Sequence, residues 1–223
     1  MKSNNPWDLL SDYFNTSKTT EKIPSRVADN IYIAWPVFLK FISTYLPNTK
    51  HKKALDYGCG GGSFAHQLFQ LGFTVIGIDS SKEMIRVAQR AYGKQITFCA
   101  GDVDLLQKIK PFDIITSVMT LQFIEDIEKT ISALSQALVT NGLIIFAVYN
   151  PDFVKESIKN NRYLYYDSAN NPTKVKLRFQ STIDVPIYIR TVDKYNALAQ
   201  KYKLKLQLEE YPPFTQEFIE KYP

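Results

Sequence analysis

A doubly wound α/β fold is predicted for this 223-residue chain by three observations. Short apolar runs alternate with helical patterns through its middle, all nine glycines lie between Gly58 and Gly142, and ten of the eleven prolines lie outside residues 48–150. Glycine gathers where a chain turns tightly or approaches a ligand, and proline is excluded from central strands and helix interiors. Residues 53–150 are therefore the sheet-building core. With no repeat or Ser/Gly linker setting off the flanks, residues 1–223 read as a single domain, with 1–52 as an N-terminal helical extension and 151–223 as a C-terminal elaboration.

Five runs, Lys53 to Tyr57, Thr74 to Ile78, Ile96 to Ala100, Phe112 to Met119 and Leu143 to Tyr149, are short and rich in branched residues, as strands buried on both faces of a parallel sheet are. Between them, Phe64 to Leu71 stops at Gly72, Ser81 to Tyr92 at Gly93, and Asp126 to Val139 at Asn141-Gly142, each a helix stop signal. Ser80 and Glu83 have the spacing of a capping box. Strand-helix-strand units with right-handed crossovers then stack into the sheet.

Composition excludes several classes. The longest apolar stretch, Leu143 to Tyr149, is far short of the roughly 20 residues that cross a bilayer, and the first residues lead into no apolar signal core; a cytoplasmic protein without membrane insertion is expected. Two cysteines, Cys59 and Cys99, build no disulfide framework, and His51 and His66 offer no metal-ligand spacing, so no metal site is expected. The net charge of +5 comes from the flanks, 7 Lys/Arg against 4 Asp/Glu in residues 1–52 and 12 against 9 in residues 151–223, while the core carries 8 against 9. No basic cluster is dense enough for a nucleic-acid footprint.

Chemistry concentrates where the first strand runs into Asp56-Tyr57-Gly58-Cys59-Gly60-Gly61-Gly62. A loop without side chains lets backbone amides touch a ligand, and in an open α/β sheet ligands bind outside the carboxyl ends of the strands. The helix that follows turns its positive end to the same place. The dinucleotide pattern fits poorly: begun at Gly58 it needs glycine at position 63, where Ser63 stands, and begun at Gly60 it reaches Ala65 with its second glycine in the right register at position 62 only. Asp56 would repel a pyrophosphate but attract an ammonium group.

These residues resemble the first motif of the class I S-adenosylmethionine-dependent methyltransferases, acid-x-Gly-x-Gly-x-Gly, at Asp56, Gly58, Gly60 and Gly62, with Cys59 at a place where that family often has cysteine. The resemblance extends across the core. It implies a Rossmann-like, mainly parallel seven-stranded sheet with an antiparallel last strand and an N-terminal helical lid. Asp79, at the end of Val75-Ile76-Gly77-Ile78-Asp79 and followed by Ser80, would grip both ribose hydroxyls. Phe98-Cys99-Ala100-Gly101-Asp102-Val103 looks like the adenine motif, with Asp102 accepting from the exocyclic amine and the Val103 amide serving a ring nitrogen. Met84 would close over adenine or ribose. Phe112 to Met119 resembles the fourth strand, whose end at Ser117 and Val118 would lie under the methionine part of the ligand. The implied cofactor is S-adenosyl-L-methionine and the implied product S-adenosyl-L-homocysteine.

The implied reaction is in-line displacement by a small-molecule acceptor; an RNA methyltransferase and a non-catalytic cofactor-binding protein are the alternatives. Tyr149, at a strand end, is the candidate for a catalytic role, His66 is expected to face solvent or pack against the sheet, and Asn150 to be a strand-end turn. Arg26 and Tyr13 are candidates for reaching the ligand carboxylate or the substrate. Lys174 to Phe179 alternates with strand period and predicts an inserted strand or hairpin over the pocket. Ile187 to Tyr195, a following helix and Leu204 to Leu208 resemble the passage that completes the family's sheet.

Overall fold

The computed structural model describes residues 5–15, 25–160, 164–167, 173–180 and 182–222, with the side chain of Arg26 outside the described set. The chain opens with α1 (Pro6–Leu9), α2 (Ser25–Asp29), a π-helical turn (Asn30–Ala34) and α3 (Trp35–Tyr45). The core follows as β1 (Lys53–Tyr57), α4 (Ser63–Gln70), β2 (Thr74–Asp79), α5 (Lys82–Tyr92), β3 (Thr97–Ala100), α6 (Leu106–Ile109), β4 (Phe112–Val118), α7 (Ile127–Gln136) and β5 (Leu138–Ala147). These five strands form one sheet in the order β3-β2-β1-β4-β5, with every pairing parallel. The order reverses between β1 and β4, which opens a crevice beyond their carboxyl ends.

Both faces of the sheet are covered, which is why its strands are apolar at successive positions. Ala54 and Ile114 pack with Phe38, Ile42, Phe64, Leu68 and Ile85 of the helices on one face. Their neighbours Leu55 and Ile115 pack with Leu106, Ile131, Leu134 and Leu198 on the other.

Beyond the core lie α8 (Pro151–Asn160), β6 (Leu164–Tyr166), β7 (Lys174–Phe179), β8 (Ile183–Tyr188), α9 (Val192–Lys201) and α10 (Gln216–Lys221). Strands β6, β7 and β8 make a separate antiparallel sheet, so the inserted hairpin expected around Lys174 to Phe179 is present. The seven-stranded sheet is not. Among the described residues the main sheet has five strands and no antiparallel last strand. Ile187 and Tyr188, expected in it, pair with Val175 and Lys174, because a neighbouring strand joined by a short turn captures them first. Leu204 to Leu208 alternates like a strand but has no pairing partner among the described residues, and Leu206 and Leu208 are left exposed.

Two boundaries also differ. The helix expected to reach Val139 ends at Gln136, and Asn141-Gly142 lies inside β5. There the pairing jumps from Phe112↔Leu138 to Ile114↔Leu143, and Asn141 takes a left-handed φ of 62°, so the stop signal marks an irregularity in a strand. The cap of α5 is Ser81, whose hydroxyl accepts from the Met84 amide at 3.1 Å, rather than Ser80. The helix starts one residue later than the Ser80–Glu83 spacing implied, so the hydroxyl that meets an unpaired first-turn amide is that of Ser81.

Gly62 tests the first turn of α4. It takes φ 84°, and a Cβ there would meet Phe98 Cζ at 2.8 Å and Ala88 Cβ at 3.0 Å. Gly62→Ala therefore combines left-handed strain of about 1–2 kcal/mol with overpacking of about 1–3 kcal/mol. A fall in Tm of about 5 °C or more is expected in a thermal melt followed by circular dichroism, at roughly 2–4 °C per kcal/mol for a domain of this size; an unchanged Tm would contradict the packing.

Candidate cofactor and acceptor site

β1 delivers Asp56 to the crevice, and the chain then turns through Gly58 (φ 74°) and Gly60 (φ 51°). The amides of Gly58 and Cys59 both donate to the Ile78 carbonyl, at 2.8 and 3.0 Å, which ties the loop to β2. A Cβ at Gly60 would meet nothing within 4 Å, so glycine there leaves room for a ligand against the backbone. At the end of β2 the Asp79 carboxylate receives the Gly60 amide at 2.9 Å and the Ser81 amide at 2.8 Å. Burial pushes its proton affinity up, and those two amides oppose the rise.

Asp102 accepts from its neighbour's amide, Val103 N–H, at 2.7 Å and from the Tyr57 hydroxyl. The Val103 amide, expected to face a ring nitrogen, is thus bonded to Asp102 here. Burial, reinforced by the Asp102 charge, holds the Tyr57 phenol far above its ordinary range. Asp56 is 2% exposed; its Oδ1 accepts from Thr116 Oγ1 at 3.0 Å, and its Oδ2 is buried with no hydrogen-bond partner. Burial, reinforced by the Asp79 charge, raises its pKa to about 7 against the Thr116 bond and the nearby Ala65 amide. An orphaned carboxylate oxygen is costly, and a cationic donor is the group that offsets it best.

One cavity of about 670 Å³ gathers these parts. Asp56, Gly58, Cys59 and Gly60 line it, as do Asp79, Ser80 and Met84 from the second strand and its helix. Gly101, Asp102 and Val103 form another wall, with Val118 and Tyr149 at the ends of β4 and β5. Two expected residues are absent from its lining. Gly62 sits behind the loop as the cap of α4, and Ser117 is fully buried within β4, where alternation puts Val118 on the cavity side. Burial and the nearby carboxylates of Asp79 and Asp56 push the Cys59 thiol well up, so it fills space as an unreactive thiol. The His66 ring stacks on Tyr92 at 4.5 Å, away from the cavity. The Asn150 side chain accepts from the Asp152 amide at 2.8 Å, which is the turn expected of it.

The roof comes from both flanks. Trp7 stands edge-on to Phe123 at 4.7 Å and Phe14 edge-on to Phe179 at 5.3 Å, so α1, the segment after it and β7 close over the strand ends. Tyr13 packs on Phe179 at 6.0 Å and is not among the described lining residues; the Arg26 side chain lies outside the described residues. α1 is fastened to the core by Asp8, whose carboxylate accepts from Ser81 Oγ at 2.5 Å and from the Glu83 amide at 3.2 Å. A carboxylate at a helix N-terminus is doubly favoured, by the orphan amides and by the helix dipole.

Sequence reasoning missed Asp29 and Gln122, both lining the cavity. Neither belongs to a spaced motif, and the one available signal was their nearness to the lid aromatics and to the fourth strand. Among the described residues no group of three His, Cys, Asp or Glu side chains is placed to hold a metal, and no helix is long and apolar enough to cross a membrane.

A parallel sheet with a glycine loop at its switch point, carboxylates at three successive strand ends and an aromatic roof is the architecture of a class I methyltransferase domain. Residues 48–206 match the methyltransferase-domain family model, and the chain belongs to that family, the S-adenosylmethionine-dependent methyltransferases. It is 30% identical over 150 residues to a ubiquinone biosynthesis O-methyltransferase from Coxiella burnetii, a match covering 66% of this chain and 60% of that one. The chain thus matches about three fifths of the length of that curated relative. A crystal structure from Pyrococcus horikoshii superposes with a TM-score of 0.67 at 20% identity over 89% of this chain and 90% of the other. An amino pentose methyltransferase from Micromonospora echinaspora, solved with S-adenosylmethionine bound, has a TM-score of 0.56 at 16% identity over 82% of this chain and 91% of its own.

Proposed function

We propose that the chain transfers a methyl group from S-adenosylmethionine to a small-molecule acceptor, as a single domain in which 1–52 is the lid, 53–150 the cofactor core and 151–223 part of the acceptor pocket. The observation that carries this reading is that Asp56, Asp79 and Asp102 share one cavity with the aromatic roof. Asp56 takes the ammonium of the methionine part at its orphaned Oδ2. Asp79 keeps its two amide bonds and offers its remaining lone pairs to the ribose hydroxyls, Met84 packs over the adenosine, and Asp102 with Val103 meets the adenine edge. The bound cofactor supplies an electrophilic methyl on a sulfonium. The chain supplies alignment and dryness: loop and carboxylates fix one partner, Trp7, Phe123 and Phe179 cover the other, and such positioning is a large source of acceleration. Tyr149, whose phenol burial keeps protonated, serves as a wall or hydrogen-bond donor rather than as a base. The free thiols of Cys59 and Cys99 support a reducing, cytoplasmic setting.

Calorimetric titration with S-adenosylhomocysteine, beside a nicotinamide dinucleotide, tests the reading; binding of the first and not the second is expected, followed by transfer of labelled methyl in an acceptor screen. Failure to bind S-adenosylhomocysteine would overturn it. Asp8→Ala should weaken that binding about tenfold, because a charged hydrogen bond worth about 1.5–3 kcal/mol no longer holds the lid. The same calorimetry checks it, and an unchanged affinity would show that α1 does not cover the cofactor.

A further inference from the structure

Resting on the methyltransferase reading above, we propose that the acceptor is a small amine, protonated in solution and carried on an apolar body, and that Asp29 binds its ammonium and takes the proton that must leave before the nitrogen can be methylated.

Three features of the cavity carry this. The first is charge. Among the described residues six carboxylates line it against one cation, Lys129, and that ammonium is already paired with Asp104 at 3.0 Å. The proposed cofactor contacts use Asp56, Asp79 and Asp102, which leaves Asp29, Glu125 and Asp126; Asp126 caps α7 by accepting the Lys129 amide at 2.9 Å, and of the three Asp29 is the one carried by the lid. An acceptor bearing its own carboxylate or phosphate would face repulsion there, and a cation would be drawn in.

The second is the company Asp29 keeps. It shares the cavity wall with Trp7, Phe14, Phe123, Tyr149 and Phe179. Aromatic rings lining the same cavity as a carboxylate favour an ammonium there, since ring faces attract the same charge that the carboxylate pairs. The Asp29 charge adds to the burial that raises the Tyr149 phenol, and both residues line the cavity.

The third is local backbone. Asp29 ends α2 and the π turn Asn30–Ala34 begins at the next residue, with Asn30 and Ile31 also on the wall. One π turn inside a helix re-aims the side chains around it, and such turns concentrate at functional sites. Asp29 Oδ1 accepts the Asn30 amide at 2.9 Å, and among the described residues no cation is paired with the carboxylate. Burial raises the Asp29 pKa, which makes it a better proton acceptor than an exposed aspartate.

The step balances. The ammonium gives one proton to Asp29 Oδ2; the freed nitrogen lone pair forms the N–CH3 bond while the C–S bond breaks with its electron pair left on sulfur. The product is a methylated ammonium, and Asp29 returns its proton to water when the lid opens.

An isosteric series isolates the head group: 2-phenylethylamine, 2-phenylethanol and 3-phenylpropanoate, titrated into the full chain saturated with S-adenosylhomocysteine and followed by tryptophan fluorescence, since Trp7 and Trp35 both line the cavity. The amine is expected to bind at least about tenfold tighter than the alcohol, and the carboxylate weakest. Asp29→Asn, which keeps the bond to the Asn30 amide, should abolish the preference for the amine while leaving S-adenosylhomocysteine affinity within about twofold. With labelled cofactor, kcat for the amine should fall by about a hundredfold in that variant, the lower end of what a general base contributes, and Asp29→Glu should recover part of it. Equal or tighter binding of the alcohol, or an amine preference that survives Asp29→Asn, would overturn the proposal. A parent that binds S-adenosylhomocysteine but none of the three probes would overturn it too. A parent that fails to bind S-adenosylhomocysteine would instead overturn the cofactor reading on which it rests.

Discussion

Asp79→Ala is expected to weaken S-adenosylhomocysteine binding at least a hundredfold while leaving the protein folded. In the structure the carboxylate holds two amides, Gly60 N–H and Ser81 N–H, at 2.9 and 2.8 Å, so it is already aimed at the end of β2 where a ribose would lie. Two hydrogen bonds from ribose hydroxyls to a charged acceptor are worth about 1.5–3 kcal/mol each, and about 1.4 kcal/mol is tenfold in affinity. Alanine removes both and leaves the Gly60 amide aimed at nothing, so the loop also loses a tether. Stability should move little, because burial of this carboxylate already works against its charge and the removed penalty offsets the lost bonds. Calorimetry with the ligand and a thermal melt without it separate the two effects. Parental affinity in the alanine variant would show that the ribose end of the ligand lies elsewhere.

Much of this site was legible in the chain because its chemistry falls at strand ends. Lys53–Tyr57 and Thr74–Asp79 are apolar at successive positions, as strands covered on both faces must be, and each carries an acid at or next to its last residue. A glycine loop after the first strand has no competing structural use at that density. Asp56, Asp79 and Asp102 could therefore be placed near one another before any contact was known. The latch from Asp8 to Ser81 could not, because it joins residues 73 apart in the chain and depends on how α1 docks. Asp29 was equally hidden: a lone acid in a short helix looks like any solvated one, and only the π turn beside it and the rings that share its cavity set it apart.

The C-terminal third shows the opposite failure. Leu204, Leu206 and Leu208 alternate with polar residues as a half-buried strand would, yet periodicity reports only which side of a strand would be apolar and says nothing of whether a neighbour is there to pair with it. Ile183–Tyr188 had the same kind of signal and did find a partner, Lys174–Phe179, because the two are joined by three residues and pair antiparallel. Local closure wins over distant pairing when the loop is short. The Arg178 guanidinium then ties the two strands by donating to both oxygens of Asp184, at 2.7 and 3.1 Å.

The acidity of Asp56 makes ligand binding depend on pH in a direction that can be worked out. Its pKa stands at about 7 in the ligand-free protein against an ordinary 3.8, chiefly because burial penalises the charge. Between those values the folded protein binds a proton that the unfolded chain has released, so this contribution to native stability is full below about pH 4 and is lost progressively as pH rises to 7. A rise of that size corresponds to about 4 kcal/mol at most. An ammonium delivered to Oδ2 pairs only with the ionised form, so binding below pH 7 must expel the proton first. S-adenosylhomocysteine affinity is therefore expected to rise about 25-fold between pH 5.5 and 7.5 and to level off above that. Asp56→Asn keeps an oxygen for the Thr116 hydroxyl but carries neither charge nor a titratable proton. Its ligand-free Tm should match the parent near pH 4 and exceed it by several degrees at pH 8, while its affinity should be weak and lose the pH slope due to Asp56. Asp79, whose pKa burial also raises, adds a slope of the same sign in both proteins, so the difference between their profiles belongs to Asp56. Parallel profiles for parent and variant would mean that Asp56 supports β1 from inside and never meets the ligand.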